Sequence, residues 1–175
     1  GEGVAFTATS ISVDAGSAIS ADGQGYTSRQ GPGAGAYEFS HPSGGGHGGR
    51  GSNGDAGTAG LTYGSVHEPI DLGSGGGNSY YLDGASGGGA IRLSVSGTVT
   101  VNGRLSANGN ESEENSGTVG GGGAGGSLWI NCLTLTGTGM ISADGGGSLV
   151  TDHHAGAGGG GRVAIHAATN SFNGD

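Results

Sequence analysis

Four copies of one short pattern divide this chain. Gly-Gly-x-φ-x-φ, with φ aliphatic or aromatic, occurs as Gly88-Gly89-Ala90-Ile91-Arg92-Leu93, Gly125-Gly126-Ser127-Leu128-Trp129-Ile130 and Gly160-Gly161-Arg162-Val163-Ala164-Ile165. Gly1-Glu2-Gly3-Val4-Ala5-Phe6 is a degenerate first copy. A Thr/Ser-x-Thr/Ser step follows each: Ser10-Ile11-Ser12, Thr98-Val99-Thr100, Thr134-Leu135-Thr136 and Thr169-Asn170-Ser171. Three copies close on a near-identical pentapeptide, Ile19-Ser20-Ala21-Asp22-Gly23, Leu105-Ser106-Ala107-Asn108-Gly109 and Ile141-Ser142-Ala143-Asp144-Gly145. Such repetition decides the fold before any motif is considered, because a unit that cannot bury its own apolar face must bury it against its neighbours.

Within a copy, apolar and small polar residues alternate, as in Leu93, Val95, Val99, Val101 and Leu105, which is the period of a strand with one buried face. No segment shows helical spacing. Three short strands per copy, parted by turn residues such as Asn102-Gly103, bury that face only by stacking on the next copy. The expectation is an all-β fold: a parallel β-helix, or β-solenoid, of about four coils forming one domain over residues 1–175. Inward columns would then run through Phe6, Leu93, Ile130 and Ile165, and through Ile19, Leu105 and Ile141. A third, Ala8, Val95, Cys132 and Ala167, makes Cys132 a buried free thiol behaving as a small hydrophobe. Glycine at the corners is expected to serve tight bends and positive φ.

Glycine supplies 47 of the 175 residues, far above ordinary usage. Collagen is excluded, because there are three prolines and no triplet register. The glycine concentrates in excursions that leave the stack between copies. Two are short, 109–126 and 145–161; the first, 24–87, holds all five tyrosines (Tyr26, Tyr37, Tyr63, Tyr80, Tyr81) and all three prolines. Loops on a rigid scaffold are where binding concentrates, so these tyrosines are candidate contacts to a partner or to other copies. The plainer reading is that they pack the excursion onto the strands beneath. Runs such as 44–49 have no side chains to bury, and are either close-packed extended strands or mobile.

Fourteen acidic residues against five basic ones, all Arg, give a net charge of −9, which disfavours nucleic acid and anionic membrane as partners. No apolar run approaches the length of a spanning helix, so membrane insertion is not expected. Hydrophobic residues are only 31% of the chain, so any core is narrow. The absence of an initial Met suggests a processed chain or a piece of a longer one.

In order, GGGHGGRGSNG, LTYGS, DLGSGGG, GGGAIRLSVSG, RLSANG, GGGAGGSLWI, ISADGG and GGGGRVAI resemble the glycine-rich repeats of very large eukaryotic cell-surface and extracellular proteins. The resemblance implies a secreted or surface-exposed β-helical segment of a longer, filament-forming molecule. It brings no catalytic set.

Enzymatic readings find little support. Polysaccharide-cleaving enzymes resembling polygalacturonases would bring Asn-Thr-Asp, Asp-Asp, Gly-His-Gly and Arg-Ile-Lys, of which only Gly46-His47-Gly48 is present. The lyase type needs a basic residue beside a calcium-binding carboxylate cluster; there is no Lys, and Arg50, Arg92, Arg104 and Arg162 have no Asp pair nearby in sequence. Gly156-Ala157-Gly158-Gly159-Gly160-Gly161-Arg162 precedes a strand and lacks Gly-Lys-Ser/Thr, so it is no phosphate loop. No cofactor is expected. His41, His47, His67, His153 and His154 lie in excursions without zinc-ligand spacing. Asp22, Asn108 and Asp144 share one corner of successive copies, and read as a hydrogen-bonded Asx ladder with calcium as the alternative. Trp129 aligns with the outward residues Ala5, Arg92 and Ala164. It is either an exposed contact for a partner or sugar, or a ring covered by a returning excursion. Asn110-Glu111-Ser112 is an acceptor sequence for N-glycosylation.

The expected function is therefore a non-enzymatic structural protein, a protomer or repeat of an extracellular filament, hair or surface layer. Its partners are copies of itself or the rest of a longer chain, because the fourth copy stops before its closing strand and neither end shows a polar cap. The alternatives are an adhesive module offering the Tyr-rich excursion to glycan or protein, and an ice-binding solenoid whose Thr/Ser steps form a flat face.

Overall fold

The computed structural model of the chain describes residues 3–54, 58–115, 118–148 and 155–175. His153 and His154, of the excursion histidines, therefore lie outside the described residues. Among those described there is no helix, and the strands are almost all parallel.

The first copy supplies β1 (Val4–Ala8), β2 (Ile11–Val13) and β3 (Ala18–Ser20), and the second β4 (Ala90–Val95), β5 (Thr98–Val101) and β6 (Arg104–Ser106). A two-residue antiparallel hairpin, β7 (Glu114–Asn115) and β8 (Thr118–Val119), decorates the next excursion. The third copy gives β9 (Ser127–Gly137) and β10 (Met140–Ser142), and the fourth β11 (Arg162–Phe172). Three strands in every copy is corrected by this: in the third and fourth copies the first two fuse into one strand of 11 residues. The corner survives in β9 as a local bulge, where the N–H groups of Leu133 and Thr134 both donate to the Gly97 carbonyl.

Parallel pairing stacks the copies in register. β1 and β2 lie against β4 and β5; both of these pair with β9, and β11 pairs with its other side. The closing strands β3, β6 and β10 form a separate three-stranded sheet. Phe6 is level with Leu93, Leu93 with Ile130 and Ile130 with Ile165, while Ile19 and Ile141 flank Leu105. These are the columns the repeat predicts. A period of two makes any one-residue slip turn every apolar residue to solvent, so the register is strongly specified. The sheets curl round a narrow aliphatic core containing Ile91, Leu93, Val99, Val101, Leu105, Leu128, Ile130 and Leu135. Cys132 is a buried free thiol level with Ala167, and burial raises its pKa.

Apart from the β7–β8 hairpin, the described glycine-rich segments are neither loose loops nor ladders of β-strands. In the segment 121–126, successive N–H groups turn to three different neighbours and then repeat. Gly121 and Ala124 donate to Gly77 and Ser74, Gly122 and Gly125 to Gly156 and Gly159, and Gly123 and Gly126 to Asn110 and Ala107, at 2.7–3.1 Å. The carbonyls of Gly121 and Ala124 accept from a fourth neighbour, Ala85 and Gly88; those of Gly122 and Gly123 accept from Gly45 and Gly146. A period of three is that of the polyproline II helix, which has no hydrogen bonds of its own. Buried, such a helix must give every N–H to a neighbour. The three excursions, though distant in sequence, interlock to meet that demand. The run 44–46 follows the same rule, Gly44 donating to Ser52, Gly45 to Gly122 and Gly46 to Gly33.

Close approach explains most of the glycine. A Cβ built on Gly126 would fall inside the van der Waals shell of the Gly89 carbonyl oxygen, and one on Gly44 would meet the Ala157 carbonyl in the same way. Positive φ, expected at the corners, occurs there at Gly16, Gly23 and Gly137, and in the first excursion at Gly31 and Gly64, among the described residues.

Candidate functional site

The outermost strands of the stack are β1 and β11. β1 pairs only with β4 and β11 only with β9, so each keeps one row of backbone groups unpaired by strands among the described residues. The inward columns come to the surface there: Val4 and Phe6 are exposed at one end, Val163 and Ile165 at the other. Interior members of the same columns, Leu93, Leu128 and Ile130, are fully buried. β11 carries no Pro, and Arg162 is its one Arg. The usual protections of an edge strand are therefore sparse.

The corner residues Asp22, Asn108 and Asp144 form the expected ladder. Asp22 Oδ1 accepts the Asn108 N–H at 2.7 Å, and Asn108 Oδ1 accepts the Asp144 N–H at 2.7 Å. Hydroxyls from the same later copies add to it, Ser106 donating to Asp22 Oδ2 and Ser142 to Asn108 Oδ1, both at 3.0 Å. Arg104 lies 3.5 Å from Asp22 Oδ2. Asp22 and Asn108 thus each receive the backbone N–H and a seryl hydroxyl of the following copy, which spends those oxygens on N–H and O–H donors. Among the described residues no group of three His, Cys, Asp or Glu is placed to hold a metal.

Trp129 sits in its outward column, level with Arg92 and Ala164, but it is not exposed. Only 7% of its surface is accessible, the Arg92 guanidinium lies 4.1 Å from the ring centroid, and His166 approaches edge-on. The segment 63–72 runs over the same side: Asp71 accepts from Ser127 Oγ at 2.6 Å and Tyr63 from Arg162 Nε at 2.9 Å, both through backbone oxygens. An exposed Trp129 contact is therefore corrected. The ring packs an internal joint, and its indole N–H is buried without a partner.

The five tyrosines divide. Tyr26 and Tyr63 are half-buried: the Tyr26 backbone pairs with Gly73 and Gly87, and the Tyr63 hydroxyl reaches the Leu72 carbonyl and Ser74 Oγ. Burial pushes the Tyr63 hydroxyl up to about 12. Tyr37, Tyr80 and Tyr81 are exposed. Asn110 is also exposed, whereas Ser112 of the same acceptor triplet is buried.

His47, read in the sequence as a Gly-His-Gly match and as one of the excursion histidines, is a fully buried polar side chain. Its ring lies tilted against Tyr63, centroids 4.7 Å apart, and its Nδ1 lies 2.9 Å from the Gly125 carbonyl oxygen. A carbonyl only accepts, so Nδ1 carries the proton and Nε2 is left bare and unpartnered. Burial lowers the His47 pKa below its usual 6.5; the Arg162 charge lowers it further, while the Gly125 carbonyl and Asp71 oppose the shift. With the folded-state pKa depressed, the neutral side chain's contribution is complete above the unfolded value and is lost as pH falls through the folded one. The melting temperature should therefore fall on acidification from about pH 6.5. His47→Phe should lower it at pH 8 and flatten this part of the profile; an unchanged slope would show that other groups carry it.

The Thr/Ser steps align as expected. Thr98, Thr134 and Thr169 form one outward column, and Ser12, Thr100, Thr136 and Ser171 another, all half-exposed or exposed. Among known protein families, characterised proteins and solved structures, none matches this chain.

Proposed function

We propose that this chain is a β-solenoid unit of an extracellular structural assembly, a filament, hair or surface layer, with no enzymatic role. The observation that carries the reading is the pair of open, like-patterned ends. β1 belongs to the same repeat position as β4, β9 and β11. Laying β1 of one copy along β11 of another would repeat a pairing already made three times within the chain, with Phe6 above Ile165 and Val4 above Val163. Such a contact uses two different surfaces and does not close on itself, so it propagates into a fibre. The ladder also has a direction: Asp144, exposed, stands where the next copy's N–H would dock. The acidic surface and the resemblance to giant surface-protein repeats agree with an extracellular setting.

Sedimentation and electron microscopy of the isolated chain at micromolar concentration provide the test. End-to-end oligomers are expected, and Ile165→Glu or Phe6→Glu, which place a charge in the exposed end column, should return the chain to a folded monomer. A wild-type chain that stays monomeric with both ends solvated would overturn the reading.

A further inference from the structure

The excursion 24–87 presents an aromatic cluster that no internal packing accounts for. The Phe39 and Tyr80 rings are 5.1 Å apart, and Tyr80 and Tyr81 meet edge to face at 4.6 Å. All three are 57–71% exposed. The hydroxylated rings stand on a fixed backbone, since the Tyr80 N–H donates to the Phe39 carbonyl at 3.1 Å and Ser79 and Leu82 close a tight turn around the pair. Contiguous exposed aromatic surface on a rigid support marks an interaction site.

Tyr81 also borders a groove of about 400 Å³ lined by Asp83, Asn110, Glu111 and Glu113. The groove floor is the glycine bundle: Asn110 donates its N–H to Ser86, and Ala85 donates to Gly121. Asp83 is held in place by the Asn78 amide at 2.8 Å. Three carboxylates thus line the groove, with Tyr81 at its border and Tyr80 against that ring, and no Arg lines it.

We propose that this surface binds a cationic polypeptide segment, its Arg or Lys heads stacking on Tyr80 and Tyr81 while the groove carboxylates neutralise neighbouring charges. Charge complementarity selects the occupant. Rings attract cations through their faces, and this chain uses that contact twice itself, with Arg92 on Trp129 and Arg29 5.7 Å from the Tyr37 centroid. A second copy of the chain is a poor occupant, because its own charge is −9. A neutral polysaccharide would use the rings but have no need of three carboxylates.

A labelled peptide of four Arg-Gly repeats, titrated into the full chain, provides the test. Binding should weaken as salt rises, because exposed charges are screened within about 10 Å at 0.1 M. Tyr80→Ala with Tyr81→Ala should weaken it about tenfold, the worth of roughly 1.4 kcal/mol of ring contact. Asp83→Asn with Glu111→Gln and Glu113→Gln should weaken it at least as much. Asp14→Asn with Glu68→Gln, neither of which lines the groove, should leave affinity within about twofold. Equal loss in that control would reduce the effect to net charge. Full affinity in the tyrosine variant, absence of binding, or tighter and salt-independent binding of a neutral oligosaccharide would each overturn the proposal. All the substituted side chains are exposed or line the groove, so circular dichroism should show every variant folded.

Discussion

Gly126→Ala is expected to unfold the glycine bundle, whereas Gly160→Ala is expected to leave it intact. At Gly126 a Cβ would collide with backbone, the Gly88 and Gly89 carbonyl groups, and not with the yielding end of a side chain. Retreat is blocked on both sides, because the Gly126 N–H is given to Ala107 at 2.7 Å and its carbonyl accepts from Arg162 at 2.9 Å. Relieving the clash breaks one of those bonds or lifts β9 away from β4. The cost should reach or exceed the upper end of overpacking, about 3 kcal/mol. At Gly160 no heavy atom lies within 4 Å of the added carbon and φ is not left-handed, so Ala should be neutral or should stabilise by about 0.4–1 kcal/mol through the unfolded chain. Urea unfolding followed by circular dichroism measures both. Equal behaviour of the two variants would mean that the bundle does not require its close approaches.

The same contrast shows what was readable beforehand and what was not. The stacking of Phe6, Leu93, Ile130 and Ile165 was legible because alternation fixes both face and register. The corner ladder was legible too, since Asp22, Asn108 and Asp144 follow the same Ser-Ala step in each copy. The bundle was not. A glycine run carries no side-chain period, so nothing in 121–126 announces that its six N–H groups will turn to segments near positions 75, 108 and 158. That pattern exists only after three excursions of unequal length have met. Trp129 was left open between two readings for a related reason: its outward phase was visible locally, but the Arg92 lid and the overlying segment 63–72 depend on contacts distant in sequence. The tyrosines show the limit from the other side. All five looked alike by composition, and only tertiary placement separates the half-buried Tyr63, bonded to Ser74, from Tyr81 at the rim of an acidic groove.

Ile130→Ala is expected to cost about 2–5 kcal/mol, the range for emptying a well-packed aliphatic site. Ile130 is fully buried between Leu93 below and Ile165 above, and its truncation strips contacts from both neighbouring copies at once. Ile165 occupies the same column one copy further on, but it is 37% exposed and has a neighbour on one side only. In a stacked array stability is close to a sum of unit terms and nearest-neighbour interfaces, so an end residue with one interface should cost less than half as much as an interior one. Ile165→Ala should therefore cost about 1–2 kcal/mol in the dilute monomer. The difference should shrink under conditions where copies associate end to end, because Ile165 then acquires a second neighbour in place of water. Measured by urea unfolding across a hundredfold range of protein concentration, the Ile130 penalty should stay constant and the Ile165 penalty should grow. Equal penalties for both variants in the monomer would mean that the fourth copy is already capped, and the open-end argument for assembly would fall with it.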